Sequence, residues 1–189
     1  MRLLSKIRAM ASRRLLLVAP ALAALTLNTG AQERERTQIP DEYKWNLAEI
    51  YPSETAWRSA KDQLQAELPR LKEFQGTLAS SASRLADALD TLFTIDKKLT
   101  RVYVYASMLA DEDTRAAGPD AMQKEMVQVA AAFGAQVAFV EPEILRFPEG
   151  TVARFLAAEP RLAPYRFYLE DIARRAPHTL TPSEEKILA

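Results

Sequence analysis

From residue 54 onward, apolar side chains recur every three or four positions and polar ones fill the gaps. Trp57, Ala60, Leu64, Leu68, Leu71 and Phe74 follow spacings of 3, 4, 4, 3 and 3, which predicts an amphipathic helix over 54–75. Ser53 stands at the N-cap position ahead of it. Pro69 lies inside the stretch and is expected to kink or break it, because its ring removes one N–H and clashes one turn back. Gly76 closes the segment. Leu85, Leu89, Leu92, Ile95, Leu99, Val102, Ala106 and Leu109 put eight apolar positions on one stripe and predict a second helix over 83–110. Residues 111–119, "DEDTRAAGP", read as a turn. Met122, Met126, Val129, Phe133, Val137 and Val140 predict a third helix over 120–140. Two long helices joined by a short polar turn imply an antiparallel helical hairpin.

Beyond it, "EPEILRFPEG" at 141–150 carries two prolines and is expected to interrupt the pattern. Shorter helices are expected over 149–158 and 161–175. A last helix start follows: Thr181 as N-cap, Pro182 at the first helical position and Glu184 three residues after the cap. No run alternates with period two for long enough to make a strand. The expected fold is all-α: a long antiparallel helical hairpin plus shorter helices. No repeat of solenoid length and no low-complexity tract is present.

The first 31 residues follow another pattern. Arg2, Lys6, Arg8, Arg13 and Arg14 are unaccompanied by any acidic residue, and "LLLVAPALAALTL" at 15–27 follows them. Thr29 and Ala31 then supply small side chains at the −3 and −1 positions of a cleavage site between Ala31 and Gln32. This is the layout of a secretory signal, and its apolar run is shorter than the ~20 residues a spanning helix needs. Arg13 and Arg14 directly before the leucines also resemble a twin-arginine signal, so both export routes stay open. The expected organisation is a signal peptide at 1–31, a leader at 32–52 and a helical domain at 53–189. Residues 181–189 would begin a link to a further domain. The expected location is periplasmic or extracellular, with membrane contact during export only.

Composition then narrows the chemistry. Lys plus Arg and Asp plus Glu number 25 each over the 189 residues, and removal of 1–31 leaves 20 basic and 25 acidic. Without a basic excess, a dedicated nucleic-acid binder is not expected. No Cys is present, so disulfides and thiolate metal sites are excluded. A single His, His178, excludes H-E-x-x-H and any other two-His metal site. The glycines are too few and scattered for a phosphate loop. Asp111 and Asp113 match the first two ligand positions of a calcium loop, but Arg115 takes the third and Ala116 the glycine position. "DEDT" therefore reads as a solvated turn with Asp113 or Thr114 capping the next helix. Tyr103 and Tyr105 lie two apart on the second helix, so at most one fits the apolar stripe. Packing is the simpler role for both, with a ligand-lining role as the alternative. Arg166, Glu170, Asp171, Arg174 and Arg175 read as a charged face that pairs at i, i+4.

Four stretches in order resemble the N-terminal region of oligoendopeptidase F, a zinc metallopeptidase of the thimet-oligopeptidase type. They are "WNLAEIYPSETAW" (45–57), "YVYASMLADEDTR" (103–115), "FVEPEIL" (139–145) and "YRFYLEDIARRAPHTLTPSEEKILA" (165–189). The resemblance implies a helical region that walls a peptide channel, followed by a catalytic domain carrying H-E-x-x-H. In such zincins two His and a Glu hold zinc, while the motif's own Glu activates a water. No residue here matches those positions, so no catalytic or metal-binding residue carries over, and zinc would belong to the full-length enzyme. The expected partner is the missing catalytic half, in cis or as a separate chain, and short peptides are the substrates of the complete enzyme. On this reading the chain is a truncated or split form, inactive alone. The alternative is a stand-alone exported helical interaction protein.

Overall fold

A computed structural model describes residues 38–179. The expected signal peptide, the Ala31–Gln32 cleavage site and the capped start at 181–189 lie outside the described residues. The chain divides into two compact units at Lys44/Trp45. Of the first, the described part is a 3-10 turn at Asp41–Tyr43, closed by Lys44 Nζ on Asp41 Oδ1 at 2.8 Å.

The second unit is helical in all its described regular elements. Helix α1 spans Glu54–Glu67, and the Ser53 hydroxyl accepts from the Ala56 N–H at 3.2 Å, as its cap position predicts. The α-helix ends at Glu67 because Pro69 follows, but the chain does not leave its axis abruptly. It tightens into a 3-10 helix over Leu68–Phe74. Leu68, Leu71 and Phe74 recur every three residues and are all buried, which suits three residues per turn. Gly76 then takes a positive φ of 77°, a conformation that a Cβ would strain.

Helix α2 spans Ala82–Glu112, 31 residues and ~46 Å, with Ser81 accepting from the Arg84 N–H. It is the spine of the unit. Its first half, through Leu85, Ala86, Ala88 and Leu89, packs in one hydrophobic cluster with Phe74, Leu78, Val140, Ile144, Phe155, Leu162, Leu169 and Ile172. Its second half, through Ile95, Leu99, Val102, Tyr105 and Ala106, packs in another with Leu47, Trp57, Leu64, Leu68, Leu71, Met122, Met126 and Val129. Trp57 is fully buried there, and its indole N–H donates to the Val102 carbonyl at 2.8 Å. Leu92 and Val137 pack against both clusters.

Helix α3 spans Ala117–Val137 and packs along α2. It begins three residues before its expected start at 120. Helix α4, Val140–Leu145, occupies the stretch expected to be irregular. The two corrections share one cause. Pro119 and Pro142 are each the third helical residue, where the N–H has no partner inside the helix anyway. Pro148 does interrupt the chain. Helix α5 spans Thr151–Ala158, a 3-10 stretch covers Pro160–Tyr165, and α6 spans Arg166–Arg175. The expected helix at 161–175 is thus α-helical only after Pro164, which cannot donate to an α ladder. Among the described residues no helix is long and apolar enough to cross a membrane.

Candidate functional site

The residues singled out for chemistry do not converge. His178 ends a 3-10 turn at Ala176–His178 and is exposed. Asp111 is exposed at the end of α2. The N-cap of α3 is Ala116, with no side-chain cap bond. Neither Asp113 nor Thr114 therefore caps the helix. Asp113 Oδ1 accepts instead from the Arg115 backbone N–H at 3.0 Å and from its Nε at 2.9 Å. An aspartate bonding two residues ahead stabilises the turn itself, which outcompetes a cap role three residues away. Among the described residues no three His, Asp or Glu side chains form a metal-holding group. One His and no Cys in the whole sequence do not supply the donors of a zinc centre of the two-His type.

Tyr105 is buried in the second cluster, edge-on to Tyr51 with ring centroids 5.5 Å apart. Tyr103 sits half-buried at that cluster's margin. Val104, between them, is the one that opens outward. It lines a surface groove of about 430 Å³ with Glu49, Ile50, Asp96, Lys97, Thr100 and Arg101. Arg101 does not offer a free charge to this groove. Its Nη2 donates to the Ile50 carbonyl at 2.7 Å, and its guanidinium lies over the Tyr51 ring.

The face read as charged on α6 pairs as expected: Arg166 with Glu170 at 3.1 Å and Arg175 with Asp171 at 3.1 Å. Arg175 also reaches Glu141 at 3.3 Å, tying α6 to α4. The Arg174 and Arg175 guanidinium groups hold the Asp171 carboxyl below its usual range.

One polar bridge in the unit is of a kind that periodicity cannot reveal. Glu143, in the first turn of α4, accepts from the Gly76 N–H on Oε2 and from the Leu78 N–H on Oε1, both at 2.7 Å. It thereby satisfies a loop that no helix ladder serves. A glutamate one position past a proline in "FVEPEIL" is the only local signal. Nearby, Phe93 stacks on Tyr165 at 5.1 Å and meets Tyr168 edge-on at 5.7 Å. The Tyr165 hydroxyl donates to Asp90 Oδ1 at 2.6 Å. Burial, then the bond to Asp90, pushes the Tyr165 hydroxyl up to about 12. Burial, then the charge of Glu141, does the same for Tyr168, against the opposing charge of Arg175. Both tyrosines stay neutral at ordinary pH and pack against the first cluster.

Residues 143–189 match the family described as Oligopeptidase F. Over 154 residues the chain is 31% identical to "Group B oligopeptidase PepB" of Streptococcus agalactiae, covering 82% of this chain and 26% of that protein. Over 167 residues it is 30% identical to "Oligopeptidase PepF" of Bacillus subtilis, covering 85% and 25%. The fold aligns with the crystal structure of oligoendopeptidase-F from Enterococcus faecium at a TM-score of 0.62 and 26% identity, over 72% of this chain and 27% of that one. The chain spans about a quarter of the length of the relatives it matches.

Proposed function

We propose, from the likeness in sequence and fold to the N-terminal region of oligoendopeptidase F, that this chain is the channel-wall region of an exported zinc oligoendopeptidase acting on short peptides. The observation that carries the reading is the coverage itself: more than four-fifths of this chain aligns with only about a quarter of the relatives. The chain then contributes a helical scaffold, and the peptide-cleaving chemistry belongs to the part of the protein it does not match. The scarcity of donors supports that division of labour, since His178 alone cannot hold a catalytic metal. Helices α2 and α3, read as an antiparallel hairpin, would give the wall its rigid span. Zinc would supply Lewis-acid activation of water in the complete enzyme, and no residue of this chain takes part in that step.

The test is a peptidase assay of the purified chain on short peptides with added zinc, alongside its metal content. The expected result is no turnover and no stoichiometric zinc. Turnover by a chain carrying one zinc per molecule would overturn the proposal.

A further inference from the structure

Helix α3 carries an apolar face that is exposed among the described residues. From Met126 to Val140, "MVQVAAAFGAQVAFV" holds no charged residue over fifteen positions, in a sequence that is 26% charged. At that frequency about four charges would be expected on a solvated helix. One side of the stretch is accounted for: Met126 and Val129 are buried in the second cluster, and Ala130, Phe133 and Val137 pack against it. A second seam is not. Val127, Ala131, Gly134 and Ala138 recur at i, i+4, i+7 and i+11, and all four are exposed, Val127 at 55%. Ala135 widens the same face.

One member of that seam, Gly134, has no side chain at all. It lies mid-helix with φ in the ordinary helical region, and a Cβ placed there meets nothing within 4 Å. Nothing among the described residues requires a glycine at that point, yet glycine is the poorest helix former after proline. A missing side chain on an open apolar seam is what a close approach by another backbone demands.

We propose that this face of α3 is where the remainder of an oligoendopeptidase F-type protein docks, through an apolar helix that crosses at Gly134. The inference rests on the functional reading above and names its contact. Two observations select this occupant. The relatives are about four times as long as the part matched, so in them this region meets further chain. The ion pair between Arg175, at the end of α6, and Glu141, four residues past the end of α3, puts the last described helix beside the same end of that face. An uncharged seam of small residues also suits a partner helix that is itself apolar, and places no charge opposite it to be desolvated.

The test co-produces the full chain with the three-quarters of the Bacillus subtilis oligopeptidase that lie outside the matched segment. Complex formation is measured for the unaltered chain, for Gly134→Leu, for Ala131→Glu and for Phe167→Glu, a control at an exposed aromatic on α6. The expected result is a complex weakened about tenfold or more by each α3 change and unaffected by the control. Gly134→Ala tests the inference without risk of misfolding. It should raise the thermal midpoint of the isolated chain while weakening the complex. A complex insensitive to the α3 changes overturns the docking face and leaves the functional reading intact. Absence of any complex with the unaltered chain overturns both. Self-association of the chain alone, abolished by Ala131→Glu, would assign the face to a second copy and overturn the inference.

Discussion

Glu143 shows what a single carboxylate can organise. Its two oxygens accept from two loop amides 65 and 67 residues earlier in the chain, each at 2.7 Å. Hydrogen bonds to a charged acceptor are worth about 1.5–3 kcal/mol each, less where water competes. Glu143→Ala should therefore lower unfolding free energy by about 2–3 kcal/mol in urea titration. Glu143→Gln should recover little of this, because its NH2 would face an N–H. A loss under about 0.5 kcal/mol would mean that water replaces the carboxylate freely. Tyr165 and Tyr168 make an alkaline prediction. Their folded hydroxyls are pushed up to about 12, from the ordinary tyrosine value of 10.0. A raised folded value stabilises below the unfolded one and is lost as pH climbs through the folded one. Stability should thus fall between pH 10 and 12, with a shallower fall in Tyr165→Phe and Tyr168→Phe. Thermal midpoints across that range, with tyrosinate absorbance, would decide it; equal slopes in all three proteins would refute it. None of these residues is legible from the sequence, because each acts on a group dozens of positions away.

At the scale of elements, the sequence is read well where packing and period agree and poorly where proline is involved. Helix α2 is legible because one seam of eight apolar residues runs through both clusters. Helices α3 and α4 start where proline sits in the first turn, a position that looks like a break only if the helix is assumed to begin after it. The stretch after Glu67 is subtler, since Leu68, Leu71 and Phe74 are spaced by three, a period that favours the tighter helix over the α-helix. The tertiary anchors, rather than the proline, now hold that segment. Pro69→Ala should shift stability by less than about 1 kcal/mol, whereas Leu71→Ala, emptying a site 2% exposed, should lose about 2–5 kcal/mol. Comparable losses in denaturant titrations would contradict this.

For the unit from Trp45 onward, two cores are strung on one helix, and that arrangement bears on cooperativity. Leu92 and Val137 touch both clusters, so one core cannot loosen without disturbing the other. Unfolding followed by helical circular dichroism and by Trp57 fluorescence should coincide in the unaltered chain. The Leu92→Ala/Val137→Ala double variant should separate the two curves, the fluorescence of the exposed Trp45 serving as background. Separate transitions in the unaltered chain would show that α2 does not couple the cores. The functional surface is legible on another footing. The family resemblance is carried by ordered stretches spread over the chain, while the open face of α3 emerges only when burial is set against composition.

The Glu143 bridge also has a consequence in time. A ribosome adds about 5–20 residues per second. The amides of Gly76 and Leu78 are therefore made roughly 3–13 s before the carboxylate that receives them. Phe74 and Leu78 likewise wait for Val140, Ile144 and the helices that follow to complete their cluster. During synthesis the first half of α2 has no finished core to lie on. The first cluster thus closes late, whereas the buried residues of the second, Leu47 to Val129, have all been made before Val140 is added.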